Sequence, residues 1–291
     1  MKVLVTGKGG QLAWELAQHC PANIELVLLG RAELDISDAT AVKQIIALHK
    51  PDVVINAAAY TAVDKAETDQ TTAYAVNEKG ATYIAQACKT NNCRLLHVST
   101  DFVFDGSKTT PYQTDDLTNP LSVYGASKLA GDLAVQTILP DSVIVRTAWV
   151  YSVHGNNFVK TMLRFMAEKP QLGIVYDQVG TPTWAAGLAR WLWAVAAQPA
   201  VSGVFHWTDA GVASWYDFAM AIQELGLEKG LLTEKIPVRP IPCSAYPTPA
   251  KRPSFSVIDK TTAEASVNMQ TIHWRTQLAN MLDELKSRQE Q

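Results

Sequence analysis

The stretch Lys2-Val3-Leu4-Val5-Thr6-Gly7-Lys8-Gly9-Gly10-Gln11-Leu12-Ala13 decides the fold. A short β-branched run, a glycine-rich turn and the opening of an amphipathic stretch follow one another without a spacer. That is how a strand hands over to a helix in a βαβ unit. Gly7, Gly10 and Ala13 stand as G-x-x-G-x-x-A. Glycine is needed at the tight turn and where backbone approaches a pyrophosphate, and a small residue where the helix packs on the strand. The helix then aims free N–H groups at an anion. A glycine-rich turn is also plain turn chemistry; its place between first strand and first helix favours the dinucleotide reading.

Four more apolar runs repeat the pattern, at Glu25–Leu29, Val53–Ala57, Arg94–Ser99 and Ser142–Thr147. Their nearly continuous apolar character predicts strands covered on both faces. Leu12–Gln18, Thr40–Leu48 and Thr72–Lys89 carry apolar residues at helical spacing and read as crossover helices. The fold class is therefore α/β, a Rossmann-like doubly wound parallel sheet with a smaller mixed α/β C-terminal substrate lobe. Residues 1–150 form the expected dinucleotide-binding domain. Residues 151–291 are expected to be mainly the substrate lobe, with some segments returning to the Rossmann core. Within them helices are expected over Asn157–Ala167, Trp184–Ala197 and Thr276–Lys286. The proline-rich Arg239–Pro253 is incompatible with a helix or inner strand and reads as an ordered loop near a site.

Composition narrows the class without naming an activity. The 291 residues are 47% hydrophobic and 18% charged, which is ordinary for a globular chain. A net charge of −3, with no long run of either sign, argues against nucleic acid as a partner. Cys20, Cys88, Cys93 and Cys243 form no C-x-x-C, which fits a reducing cytoplasm, and the histidines show no metal-ligand spacing. The run before Gly7 is too short for a secretory leader, and Trp191–Ala197 falls far short of the ~20 residues a membrane span needs. A cytoplasmic protein with neither membrane partner nor metal site is the expectation.

Chemistry concentrates at the carboxyl ends of the runs. Gly30-Arg31 stands where an NAD-selective site places an acid; a guanidinium there either meets a 2′-phosphate or is a solvated surface group. Asp35-Ile36 would flank the adenine. Asn56-Ala57-Ala58-Ala59 supplies small residues where a ligand lies against backbone. Tyr124 and Lys128, at i and i+4, share a helical face. The ammonium beneath the phenol is expected to lower its pKa from ~10 toward working pH, making it a general acid for a carbonyl oxygen receiving hydride. Chance alone yields about half a Y-x-x-x-K in such a chain, so context decides. That context is Ser99-Thr100-Asp101, whose hydroxyl would bond substrate carbonyl and phenol. Trp149, at the same edge, is either core or a wall for sugar stacking.

Longer motifs carry a resemblance: Gly7–Leu12, Asn56–Glu67 (NAAAYTAVDKAE), Ser99–Gly106 (STDFVFDG), Pro120–Gly131 (PLSVYGASKLAG), Arg146–Tyr151 (RTAWVY), Gly155–Phe158, Asp177–Thr183 and Arg252–Ser256. Over almost its whole length the chain resembles the dTDP-4-dehydrorhamnose reductase family of the extended short-chain dehydrogenase/reductase superfamily. The resemblance implies NADPH- or NADH-dependent reduction of the C4 keto group of the nucleotide sugar dTDP-4-dehydro-L-rhamnose, giving dTDP-L-rhamnose for lipopolysaccharide O-antigen or other surface polysaccharide. It makes Tyr124 the proton donor and Lys128 its partner, which also holds the nicotinamide ribose. Thr100 polarises the carbonyl, Thr100 and Asp101 contact the sugar, and Trp149 bounds its ring. Gly7, Gly10, Gln11, Leu12, Arg31, Asp35, Ile36, Ala59, Tyr60, Thr61 and Val98 would line the dinucleotide. Some relatives form a homodimer through Mg2+ held by carboxylates; Glu15 would contribute, and Arg190 stands against a complete site. The alternatives are a nucleotide-sugar epimerase of the same superfamily and a non-catalytic NADP-binding regulatory subunit.

Overall fold

The structure is a computed structural model and describes residues 1–290. Strands and helices alternate through the first half as β1 (Lys2–Thr6), α1 (Gln11–Gln18), β2 (Glu25–Leu29), α2 (Ala39–His49), β3 (Val53–Asn56), α3 (Ala81–Asn91), β4 (Arg94–Thr100), α4 (Val123–Ile138) and β5 (Val143–Thr147). The second half adds α5 (Phe158–Glu168), α6 (Ala185–Ala196), β6 (Gly203–His206), α7 (Trp215–Glu228) and α8 (Trp274–Gln289). Six strands form one parallel sheet in the order β6-β5-β4-β3-β1-β2. The chain reverses its direction of travel across the sheet between β1 and β3, and an open α/β sheet binds its ligand at the carboxyl ends of such strands.

Alternation along the strands explains why both faces are covered. Val3, Val5, Ile55 and Val145 point into a core shared with Leu16 of α1 and with Leu188 and Trp191 of α6. Leu4, Val54, Leu95 and Ile144 point the other way, against Ile46, Ile84 and Val135 of α2, α3 and α4. A one-residue slip in any strand would exchange these sets, so the register is strongly specified. Two segments beyond residue 150 complete this body: β6 pairs with β5 and α6 packs beside α1. Arg94, at the start of β4, ties them in by donating to the carbonyls of Val195, Ala196 and Val201 where α6 ends. A separate core, built from Met162, Phe218, Ile222, Leu278, Met281 and Leu282, joins α5, α7 and α8.

Two expectations need correction. The helix read over Thr72–Lys89 is broken by a π-turn at Ala75–Gly80 between Gln70–Tyr74 and α3. At the π-turn Asn77 reaches back to clamp the backbone of Tyr60, accepting from its N–H at 2.9 Å and donating to its carbonyl at 3.1 Å. The segment Arg239–Pro253 is not all loop, because Val238–Ile241 forms a strand parallel to Leu172–Val175. This pair is a two-stranded ribbon, and an edge position tolerates Pro240, which has no N–H to give. Among the described residues no helix is long and apolar enough to cross a membrane, and the four cysteines are free thiols.

Asp209 links the two cores and is 2% exposed. Its carboxylate accepts from the Trp184 N–H at 2.9 Å, yet burial outweighs that bond and a Gln277 contact, pushing its pKa up to about 8. The folded state therefore holds a proton that the unfolded chain releases near the ordinary carboxylate pKa. The stability from holding it is full below pH ~4 and is lost as pH rises to about 8. Asp209→Asn is expected to be more stable than the parent, by an amount that grows from pH 4 to 8 to on the order of a few kcal/mol and then levels off. Urea unfolding across that range checks the slope.

Candidate active site

The glycine turn is held open by its own backbone. Gly7 sits at φ +85°, and a Cβ there would lie 2.8 Å from the Ala57 carbonyl oxygen at the end of β3. The Gly10 N–H closes the turn on the Gly7 carbonyl at 2.9 Å. Gly10 caps α1 without a side-chain acceptor, so first-turn N–H groups have no side-chain partner and face the crevice. This is a cradle for a diphosphate: bare backbone, free donors and a dipole of the right sign. The loop after β5 covers it, with His154 Nε2 3.1 Å from the Gly9 carbonyl oxygen and Asn157 donating to Gln11 Oε1 at 2.9 Å.

A cavity of about 970 Å3 runs from this cradle along the carboxyl edge of the sheet. Each residue that the resemblance assigned to the dinucleotide, the sugar or the proton transfer lines it. Gly7, Gly10, Gln11 and Leu12 form one part, Arg31, Asp35 and Ile36 another, and Ala59, Tyr60, Thr61 and Val98 the wall between them and Thr100, Asp101, Tyr124, Lys128 and Trp149. At the β2 end Arg31 is largely exposed and held only by Asp35 at 3.3 Å. Bonds from the Ser37 hydroxyl and N–H keep that carboxylate below its ordinary range. Glu33, which does not line the cavity, accepts from the Gly30 N–H at 2.9 Å and pairs with Lys8 at 3.3 Å.

At the other end, α4 is pressed against the turn that follows β4. A Cβ on Gly125 would come within 2.2 Å of the Phe102 carbonyl oxygen, so no larger residue lets Tyr124 approach Thr100 this closely. Ser122 starts the helix by accepting from the Gly125 N–H at 3.2 Å. The Thr100 hydroxyl donates to Asp101 Oδ1 at 3.0 Å and accepts from the Phe102 N–H at 3.2 Å. Burial raises the Asp101 carboxyl to about 6 against bonds from Ser256 and Thr100, leaving it mostly ionised at neutral pH.

Tyr124 does not have the depressed pKa expected of it. Burial drives the phenol up to about 12, a hydrogen bond with Thr100 pulls it partly back, and the negative charges of Asp101 and Asp132 add to the rise. Lys128 does not offset this, because its ammonium is turned beneath the sheet edge and donates to the Val98 carbonyl at 2.6 Å. Only 1% exposed, Lys128 is itself lowered to about 8 by burial, with Asp132 holding it up. At pH 7 the phenol therefore carries its proton and the ammonium remains mostly charged.

Trp149 takes a left-handed backbone, φ +46°, and stacks face to face on Trp215 with ring centroids 3.6 Å apart. Trp215 lines the cavity too, as does Arg252, whose guanidinium is paired in two-pronged fashion with Asp64 at 3.0 and 2.8 Å. Sequence reasoning missed Trp215, Asn77 and Asp64; Asp64 lay within a quoted motif, whereas nothing local marks Trp215. Glu15 does not fit a metal. It is fully buried, accepts from Ser152 Oγ at 2.7 Å and Trp184 Nε1 at 3.2 Å, and meets His19 at 3.4 Å. Among the described residues no group of three or more His, Cys, Asp or Glu side chains is placed to hold an ion.

Residues 1–287 match the family model described as the RmlD substrate binding domain. A dTDP-4-dehydrorhamnose reductase of Aggregatibacter actinomycetemcomitans is 42% identical over 96% of this chain and 98% of that protein. Two solved structures superpose with TM-scores of 0.92. One is a dTDP-4-dehydrorhamnose reductase from Clostridium acetobutylicum, 39% identical over 98% of this chain and 100% of that one. The other is a dTDP-4-dehydrorhamnose reductase from Bacillus anthracis in complex with NADP, 31% identical over 97% and 99%.

Gly7→Ala tests the cradle. A left-handed alanine costs about 1 kcal/mol, and the Ala57 carbonyl must also move. Thermal melting is expected to fall by several degrees, and NADPH affinity, read by fluorescence titration, by tenfold or more.

Proposed function

This chain belongs to the RmlD substrate binding domain family, and on that premise we propose that it reduces the C4 keto group of dTDP-4-dehydro-L-rhamnose with NADPH or NADH, yielding dTDP-L-rhamnose. It is an oxidoreductase of the Rossmann type. The observation that carries the reading is the convergence of Thr100, Tyr124 and Lys128 in one cavity with a glycine cradle. The bound nicotinamide cofactor supplies the hydride. Everything else in the step falls to the chain's own side chains.

Tyr124 is the proton donor. With its pKa near 12 the phenol stays loaded at neutral pH, and an alkoxide forming at C4 is more basic still, so the proton moves downhill as charge develops. Thr100 lies beside the phenol in the same cavity and is placed to orient the carbonyl between them. The Lys128 ammonium lines the same cavity, anchored on the Val98 carbonyl at 2.6 Å, where it would hold the nicotinamide ribose beside the phenol. Asp101 contacts the sugar hydroxyls and Trp149, braced by Trp215, bounds the ring. Gly7, Gly10, Gln11 and Leu12 hold the cofactor diphosphate. Asp35, Ile36, Ala59, Tyr60, Thr61 and Val98 line the rest of the dinucleotide. Arg31, exposed and only weakly held, is available to a 2′-phosphate.

In this reading residues 1–150, completed by α6 and β6, form the dinucleotide-binding body, and α5, α7, α8 and the Arg239–Pro253 segment form the sugar lobe. The protein works in the cytoplasm, in keeping with its free thiols, and its product feeds surface polysaccharide. The homodimer is part of the same proposal but does not use Glu15, which faces inward; sedimentation with and without a chelator tests both points.

NADPH oxidation followed by absorbance is expected with dTDP-4-dehydrorhamnose, and slower oxidation with the UDP and GDP analogues. Absence of turnover on the dTDP sugar would sink the substrate assignment. Tyr124→Phe is expected to lower kcat by at least about a hundredfold, while NADPH affinity stays within about twofold.

A further inference from the structure

Tyr124, Lys128 and Asp132 follow one another at i, i+4 and i+8 on α4, so the proposed acid and its lysine sit above a third charged group on the same helical face. Asp132 is 1% exposed and lies too deep to touch a ligand. Between it and Lys128 stands His97 of β4, also 1% exposed, with Nε2 3.4 Å from Lys128 Nζ and 3.6 Å from Asp132 Oδ1. Ser99 donates to Asp132 Oδ2 at 2.7 Å, and Arg146 Nε of β5 approaches the same oxygen at 3.7 Å.

The protonation of His97 follows from a chain of hydrogen bonds that begins at a backbone donor. The Ala58 N–H, at the dinucleotide edge, donates to Thr6 Oγ1 at 3.2 Å. The Thr6 hydroxyl must then give its own proton to Asn56 Oδ1 at 2.7 Å. Asn56 is left to donate from Nδ2 to His97 Nδ1 at 3.0 Å. Nδ1 is therefore the acceptor, and the imidazole proton sits on Nε2, facing Lys128 and Asp132. A protonated Nε2 cannot accept from the ammonium, so its proton is directed at Asp132 Oδ1, 3.6 Å away, a buried oxygen with no other hydrogen-bond partner. Charge agrees with this: Lys128 and Arg146 are two buried cations that both act on Asp132, and a third cation at His97 would be repelled by Lys128.

We propose that Asp132, acting through His97, is a positioning residue for Lys128: the carboxylate keeps the buried ammonium charged, and the Nε2–H of His97 turns its protons toward the cavity side. The inference rests on the reading of Tyr124 and Lys128 above and deepens it. The titratable groups that act on Lys128 are Asp132 from its own helix and His97 from β4; Asp101, after β4, acts on Tyr124, and Arg146 from β5 acts on Asp132. The π-turn behind α4 contributes only the neutral Asn77, which donates to Ser127. Burial depresses the His97 and Lys128 pKa values, the carboxylate raises both, and it alone opposes loss of the lysine proton.

Two measurements test this. In Asp132→Asn the ammonium loses its counter-charge, so the basic limb of the kcat/KM profile, set near pH 8 by Lys128, is expected to move down by about one pH unit or more. A purely structural Asp132 would lower activity equally at all pH values and leave the limb in place, and that result overturns the proposal. The second uses wild-type protein labelled with 15N-histidine. His97 is expected to show a protonated Nε2 and an unprotonated Nδ1 throughout pH 6–8, with or without NADPH. An Nδ1–H tautomer, or a cationic ring in that range, overturns the proposal even if the variant does not fold. Should the wild type fail to turn over dTDP-4-dehydrorhamnose, the substrate reading falls. The 15N tautomer and the pH dependence of NADPH binding still decide the role of Asp132.

Discussion

Lys128 brings a positive charge into the interior, and much of the surrounding structure is arranged around the cost of doing so. An unpaired buried ammonium costs several kcal/mol, which is why buried charges come with partners. Here the partners come from two elements, the Val98 carbonyl of β4 and the Asp132 carboxylate of α4, with His97 between ammonium and carboxylate and Arg146 of β5 on the carboxylate's other oxygen. They meet only if α4 crosses close over β4. That approach depends on Gly125 against the Phe102 carbonyl and on Ser99 tying Asp132 to the strand. The same closeness sets Tyr124 beside Thr100. Burial of the cation and placement of the phenol are thus two results of one packing constraint.

Burial also decides how the acid works. A phenol lowered toward neutrality would spend part of its time deprotonated and unable to donate. Desolvation and the neighbouring carboxylates do the opposite and keep it protonated. The ammonium, held on the Val98 carbonyl, leaves that pKa unmoved and serves the cofactor side of the cavity. Division of labour follows from position: Thr100 and Tyr124 at the substrate, Lys128 behind them, and the His97–Asp132 pair behind Lys128.

Much of this was legible in the sequence because it is local. β1 and β2 have the bounds expected of them, and the glycine turn, the Thr100 strand end and the Tyr124–Lys128 helix were each marked by short-range pattern. What the pattern did not show depends on contacts between distant segments. Nothing near Trp215 announces that it stacks on Trp149, and no periodicity shows that β6 extends the sheet beside β5. The π-turn was invisible because an extra residue in a helical turn barely disturbs apolar spacing, whereas its cause, Asn77 clamping Tyr60, is tertiary. His97 did leave a trace, a polar residue inside the apolar run of β4, which only a buried partner explains. The phenol's pKa was misjudged because i, i+4 spacing gives proximity but says nothing of desolvation or of where the ammonium turns.

The central claim is that a hydride from the cofactor ends on C4 of the sugar. It is tested most directly with NADPH deuterated at the transferable C4 position and dTDP-4-dehydrorhamnose, with the product read by mass spectrometry and NMR. The account predicts one deuterium at C4 of dTDP-L-rhamnose for each NADPH consumed. Sugar isomerised without net NADPH oxidation, or product formed with no deuterium at C4, would contradict it.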